Sequence, residues 1–172
     1  MPERQGTRLA FYTFGILRAP QGHAQVQGFV DRIPGVSAAS WGAAGYLAAV
    51  RNRPPGFGPR FYDPAVHAFA PQTLSVWADL ESVFAFAYHG PHAEALRGRR
   101  EWFVTPPWPT YAAWWVAGDH LPTWDEAAAR LEHLHDHGPT PFAFSFKHPF
   151  DPDGRPTALA HAPVTARATT GA

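Results

Sequence analysis

The stretch RLAFYTFGILR, residues 8–18, decides the fold because it is apolar on both faces of the strand that it predicts. Side chains alternate between the two faces of a strand. One face here carries Leu9 and Phe11, and the other carries Tyr12 and Phe14. A strand of this kind is normally covered on both sides. We therefore expect residues 8–18 to lie in the middle of a sheet whose two faces are both buried.

Further strands and helices alternate along the chain. Short apolar runs predict three more strands, at residues 46–51, 72–80 and 111–117. Apolar side chains at helical spacing predict a helix from Val26 onward, which Pro34-Gly35 is expected to kink or restart. A second helical region, residues 81–104, is expected to break at Gly90-Pro91. The capping box Thr123-Trp124-Asp125-Glu126 predicts a last helix that ends at Gly138.

The order of these elements predicts the fold class. It reads β-α-β-β-α-β plus a further helix and an extended segment, which is typical of an α+β, ferredoxin-like antiparallel sheet with helices on one face. We expect one domain over residues 8–150 and a loose tail over residues 151–172, which lack a periodic core face. Helices on one face leave the apolar second face uncovered. We therefore expect a homodimer whose sheets pack face to face.

The composition excludes several classes of function. Fourteen Lys and Arg residues balance fourteen Asp and Glu residues, so a nucleic-acid-binding protein is not expected. No apolar run approaches the length of a bilayer span and no signal peptide is visible, so we expect a cytoplasmic protein without membrane contact. The sequence has no cysteine, so thiolate chemistry is not expected. The aromatic share of 15% indicates an apolar cavity or a large subunit interface.

Five short blocks resemble a bacterial family, domain of unknown function 3291. They are LSVW (74–77), RREWF (99–103), WWV (114–116), GDHLPT (118–123) and HGPT (137–140). The family is similar to dimeric α+β-barrel proteins, which include antibiotic-biosynthesis monooxygenases, muconolactone-isomerase-like enzymes and haem-degrading enzymes. The resemblance runs from about residue 9 to residue 146 and implies that fold. The breaks at Pro34-Gly35 and at residues 89–91 depart from the family pattern and affect the position of His92.

The candidate catalytic residues are Tyr88 and His92, four positions apart on a helical stripe that includes Phe84. A histidine beside a phenol on an apolar helix face can act as a general acid or base, because its ordinary pKa lies near neutrality. The resemblance to haem-degrading enzymes implies a second role, as an axial haem ligand. The structural alternative is a histidine that is hydrogen-bonded within the core or that caps the helix break.

The candidate substrate-binding residues are aromatic and basic. Arg100, with its neighbours Arg97 and Arg99, can hold an anionic group or can be a solvated charge at a helix end. The aromatic candidates, which can equally be core or interface residues, are Trp77, Phe84, Trp102, Trp114 and Trp115. His133 and His137 are spaced for a shared metal ion, but no HExxH-type carboxylate accompanies them, so we expect no metal site.

These residues lead to three hypotheses about function. The first is an enzyme that acts on a small hydrophobic molecule, aromatic or polyketide-like, by cofactor-independent monooxygenase or isomerase/cyclase chemistry with His92 and Tyr88 handling protons. The second is a non-catalytic ligand-binding or structural dimer, whose aromatic residues serve the core and the interface. The third is a haem protein with His92 as the ligand. The first hypothesis requires no cofactor.

Overall fold

The structure is a computed structural model that describes residues 6–159. Four strands and five helices occur in that range. They are β1 (Arg8–Phe14), α1 (Ala24–Trp41), β2 (Tyr46–Ala49), β3 (Gln72–Trp77), α2 (Leu80–Tyr88), α3 (Gly90–Arg97), α4 (Arg99–Trp102), β4 (Tyr111–Val116) and α5 (Trp124–His137). None of these helices is long and apolar enough to cross a membrane.

The strands form one antiparallel sheet in the order β2-β3-β1-β4. Strand β1 is central: Leu9 lies opposite Trp77 of β3 on one side and opposite Trp115 of β4 on the other. This order confirms the predicted ferredoxin-like βαββαβ unit. The strands end earlier than predicted. For β3 the reason is Asp79, whose side chain accepts a hydrogen bond from the backbone N–H of Ser82 at 2.7 Å and thereby starts α2.

The two helix breaks predicted from proline and glycine have different outcomes. Helix α1 continues through Pro34 as one element, so the predicted restart does not occur. Pro34 lies on the exposed side of α1, where the carbonyl group that loses its helical partner can bind water. The second break is confirmed. His89 has extended backbone angles and Gly90 has a φ of 59°, which favours glycine, so α2 and α3 are separate helices.

One face of the sheet is filled by side chains of the same chain; we call it the filled face. It carries Tyr12, Phe14, Leu74 and Trp114, all of which are buried. Helix α5 packs on it through Ala127, Leu131 and Leu134. The sequence pattern alone assigns α5 to no face and predicts a second copy at this place. Because α5 covers the filled face, this face supplies no reason for a dimer.

The opposite face, which we call the open face, carries Phe11, Thr13, Ser75 and Trp77. Helix α2 covers part of it through Leu80, Val83 and Ala87. Helix α1 instead packs mainly against α3 and α4, and Val26 is its one buried residue. Helix α1 therefore stands away from the sheet, and a cavity lies between them.

The predicted C-terminal tail begins as hydrogen-bonded structure. The backbone N–H of Asp151 donates to the carbonyl of Arg155 at 2.8 Å, and that of Thr157 donates to Pro149 at 3.0 Å. Leu159 packs against the cluster under α2. The rest of the predicted tail, residues 160–172, lies outside the described residues.

Candidate active site between the sheet and helix α1

The cavity on the open face has a volume of about 1130 Å³. This is slightly more than the volume of ordinary ligand cavities, which span about 300–1,000 Å³. Its floor is the open face, its wall is formed by α1 and α3, and it continues round the end of β1 to Trp108 and Trp124. A smaller cavity of about 420 Å³, between Pro139 and Thr157, contains none of the predicted site residues.

Hydroxyl groups form a short polar stripe on the floor of this cavity. The Oγ1 atoms of Thr13 and Thr73 are 2.6 Å apart. Trp77 Nε1 donates to Ser75 Oγ at 2.8 Å, which fixes the indole ring at the cavity wall. The sequence analysis did not name the three hydroxyl residues. Their signal was present, because they share the strand face of Phe11 and interrupt an otherwise apolar pattern.

His92 presents a neutral imidazole to the cavity. It lies in the first turn of α3, and its Nδ1 atom is 2.7 Å from the carbonyl oxygen of Ala87. A carbonyl only accepts hydrogen bonds, so Nδ1 carries the proton and Nε2 carries the lone pair. Burial lowers the pKa of His92 below its ordinary value, and the bond to Ala87 opposes this only in part. The ring also contacts Phe86, with centroids 5.0 Å apart.

Two tyrosines, Tyr88 and Tyr111, line the same cavity. Tyr111 accepts a hydrogen bond from the backbone N–H of Phe146 at 3.2 Å. Burial raises the pKa of Tyr111 above its ordinary value, and the hydrogen bond from Phe146 opposes this only in part. The sequence analysis named Tyr88 and missed Tyr111. The alternation of β4 could have found it, because Tyr111 and Trp115 share one strand face.

The structure brings four of the eight predicted site residues to this cavity: Tyr88, His92, Trp77 and Arg100. Tyr88 and His92 do not share a continuous helical stripe, because the chain leaves the helix at His89. They reach the cavity from two helices, and the hydrogen bond between His92 and Ala87 joins these helices.

The sequence supplies the family assignment. Residues 8–160 match the model of a family described as "Domain of unknown function (DUF3291)". The chain belongs to the DUF3291 family. No curated protein matches this DUF3291 chain.

Several solved structures are similar to this DUF3291 chain, and at sequence identities of 16% or less they carry no conclusion about its activity. A protein of unknown function from Nitrosomonas europaea, NE2512, is 16% identical with a TM-score of 0.46, over 68% of this chain and 96% of that one. The PA3566 protein of Pseudomonas aeruginosa is 12% identical with a TM-score of 0.45, over 69% and 98%. A "putative antibiotic biosynthesis monooxygenase" from Nitrosomonas europaea is 8% identical with a TM-score of 0.44, over 68% and 94%.

The other four predicted residues of the DUF3291 chain do not line the cavity and contact protein groups instead. Trp114 is buried in the filled face, where its Nε1 donates to Glu126 at 2.9 Å. Trp115 donates to the carbonyl of Phe150 at 2.7 Å. Trp102 packs under the guanidinium of Arg32, 5.1 Å from the ring centroid. Phe84 packs against Tyr88, with ring centroids 4.7 Å apart.

The histidine pair at the end of α5 is bonded within the protein. The rings of His133 and His137 are 4.5 Å apart, and His133 Nε2 is 2.9 Å from the hydroxyl of Thr140. Within residues 6–159 no group of three or more His, Cys, Asp or Glu side chains is arranged to hold a metal ion.

Proposed function

We propose that this DUF3291 protein binds a small, largely apolar molecule in the cavity on the open face and exchanges a proton with it through His92. The substrate class is an aromatic or polyketide-like compound, and the chemistry is that of an isomerase or cyclase or of a cofactor-independent monooxygenase. One observation carries this proposal: the imidazole of His92, whose Nδ1 is 2.7 Å from the carbonyl oxygen of Ala87, lines a cavity of about 1130 Å³.

The lining suits such a ligand. Phe11, Trp77, Phe86 and Phe146 supply aromatic surface, and the hydroxyl stripe supplies a few polar groups. Small-molecule sites usually combine these two features, since apolar surface provides affinity and a few polar groups fix the orientation. The match supports binding of a ring system rather than of an extended polar chain.

The imidazole suits proton transfer. Isomerisation, cyclisation and cofactor-independent oxygenation can all begin by removing a proton from an acidic C–H or O–H group. A base must be unprotonated to do this, and burial keeps His92 neutral at pH 7. The bond from Nδ1 to Ala87 holds the ring so that Nε2 is the accepting atom. The hydroxyls of Tyr88 and Tyr111, two tyrosines of the lining, are donors for the oxygen that gains charge when the proton leaves.

Binding is tested with the neutral fluorescent dye N-phenyl-1-naphthylamine. We expect its emission to rise on binding to the wild-type protein. Ala95 lines the cavity from α3, so Ala95→Trp fills it and weakens the dye affinity about tenfold or more. Ala85 of α2 is exposed and outside the lining, so Ala85→Trp is the matched control and leaves the affinity unchanged. Equal affinities for the two variants would show that the dye binds elsewhere.

Proton transfer is tested with 2-tetralone, a ketone with acidic C–H groups next to its carbonyl. In D₂O the wild-type protein should accelerate loss of the corresponding proton NMR signals. His92→Gln should reduce the rate about 100-fold, toward the buffer rate. His89→Gln, a change at an exposed neighbour outside the lining, should have no effect. If 2-tetralone displaces the dye but its protons exchange no faster than in buffer, the protein binds the ketone and does not catalyse the proposed proton transfer.

The haem hypothesis has one observation in its favour. Metal-bound histidines usually donate their second ring N–H to a carbonyl or carboxylate, as His92 does to Ala87. Haem added to the purified protein would then shift the Soret band, and His92→Ala would abolish the shift. An unshifted spectrum, or the same shift in the variant, would contradict ligation by His92.

The predicted homodimer stays a prediction, since its original reason was an uncovered apolar face and α5 covers that face. Sedimentation velocity at low protein concentration tests it: a species of twice the mass of the 18.9 kDa chain supports the dimer, and a folded single chain contradicts it.

A further inference from the structure

The lining of the cavity is basic. Among residues 6–159 it includes five arginines and neither aspartate nor glutamate. The arginines are Arg32, Arg51, Arg53, Arg99 and Arg100. The chain as a whole has fourteen basic and fourteen acidic residues, so overall composition does not explain this one-sided lining. A concave apolar surface with charges of one sign at its edge concentrates ligands of the opposite sign.

These arginines lie at one end of the sheet. The segment that follows β1 donates backbone hydrogen bonds to Pro71 and Phe69 on one side and to Trp102 on the other. Arg53 donates to the carbonyl of Ala70, next to the first pair. Arg99 and Arg100 belong to the helix that ends at Trp102, and Arg32 lies over the ring of Trp102. The basic side chains therefore surround the end of β1.

None of the five arginines has a carboxylate partner within residues 6–159. The three arginines that form ion pairs in this range, Arg60, Arg130 and Arg155, all lie outside the cavity lining. Arg99 and Arg100 are exposed, and their guanidinium groups make no hydrogen bond to another described residue. These two groups are therefore free to bind a ligand without breaking an existing interaction.

We propose that the ligand is an apolar acid, an aromatic or acyl carboxylate. Its ring or chain lies in the cavity, and its carboxylate lies at the arginine end near α4. This inference rests on the proposed function, because it specifies the molecule that the same cavity holds. Guanidinium groups suit this task, since their planar fork donates two parallel hydrogen bonds to one carboxylate. The apolar aromatic floor favours a small amphiphilic acid over an acidic protein segment, which would bring few apolar groups.

Two dyes with the same ring skeleton separate charge from shape. N-phenyl-1-naphthylamine is neutral, and 8-anilino-1-naphthalenesulfonate adds one sulfonate. We expect the anionic dye to bind the wild-type protein about tenfold more tightly, because one charge-assisted contact is worth roughly a factor of ten. We also expect naphthalene-2-carboxylate to displace it at about tenfold lower concentration than naphthalene-2-carboxamide does. Inorganic phosphate should not displace it at comparable concentrations.

Matched arginine variants locate the anion. Arg100→Gln and Arg99→Gln should each reduce the preference for the anionic dye severalfold and leave the neutral dye unaffected. Arg97→Gln removes the same charge from an exposed residue at the end of α3 that does not line the cavity, so it should change neither affinity.

Each other outcome has a defined meaning. Equal affinities of the two dyes for wild-type protein would overturn the acid preference while the proposed binding function stands. Failure of both dyes to bind would overturn the proposed function together with this inference. An equal loss in Arg97→Gln, or displacement by phosphate as effective as by the carboxylate, would show general charge attraction and overturn the inference.

Discussion

The two faces of the sheet share strand β1 but differ in the size of their side chains. The filled face carries Tyr12, Phe14 and Trp114, which close the space under α5. The open face also carries large side chains such as Phe11, but the smaller hydroxyl residues Thr13, Thr73 and Ser75 lie beside them and line the cavity. Both faces are apolar enough to need cover. The cavity lies where this stripe of smaller side chains interrupts the apolar surface.

The helices over the two faces differ in the same way. Helix α5 buries Ala127, Ala128, Leu131 and Leu134, whereas α1 buries only Val26. A helix that buries a full stripe is fixed by its packing, and one that buries little contributes less to stability. The first prediction follows from this contrast.

Leucine and isoleucine truncations should separate the two helices most clearly. Leu131 is fully buried on the filled face, so Leu131→Ala should lower the free energy of unfolding by about 2–5 kcal/mol. Ile33 of α1 is 39% exposed beside the cavity, so Ile33→Ala should cost less than about 1 kcal/mol. Urea denaturation of both variants measures this. Similar losses would mean that α1 is packed as tightly as α5.

A polar network adds to the stability of the filled face. Glu126 accepts hydrogen bonds from Trp114 at 2.9 Å and from His120 at 2.8 Å. Burial acts to raise the pKa of Glu126, but these hydrogen bonds and the charge of Arg130 outweigh it and hold the pKa below its ordinary value. A carboxyl whose folded pKa is lowered stabilises the fold above its unfolded pKa, here about 4.5, and that contribution is lost as the pH falls further.

Replacing this carboxylate should therefore have a pH-dependent effect. At pH 7 we expect Glu126→Gln to cost about 1–2 kcal/mol of unfolding free energy, because charge-assisted hydrogen bonds become neutral ones. The difference from wild type should shrink as the pH falls below 4.5. Chemical denaturation at several pH values measures it. A difference that stays constant down to pH 3 would contradict the role of the charge.

The smallest expected effect on stability comes from the titration of His92 at the cavity on the open face. Burial lowers its folded pKa below 6.5, so as the pH falls past 6.5 the unfolded chain binds a proton first and stability declines until the folded pKa is reached. His92→Gln should remove this part of the decline. In the 2-tetralone assay the wild-type rate should rise with pH to a plateau whose midpoint lies below 6.5. A midpoint above 6.5 would contradict the buried, neutral imidazole.

Local signals in the sequence predicted much of this structure. The alternation of residues 8–18 predicted the central strand, Thr123 predicted the start of α5, and Gly90 predicted the break before His92. The face that α5 covers was missed, because a capping box fixes where a helix starts and not where it packs. Strand alternation places Tyr111 and the hydroxyl residues on the open face, but their contacts were missed because the partners are distant in sequence, as Thr13 and Thr73 are.

The position of a bound ligand tests the central claim most directly. Isotope-filtered NMR of ¹³C-labelled protein with unlabelled N-phenyl-1-naphthylamine detects which side chains touch the dye. The account predicts cross-peaks from the dye rings to Trp77 and His92 on the open face and none to Trp114 on the filled face. Cross-peaks to Trp114, or contacts confined to residues outside the cavity, would contradict it.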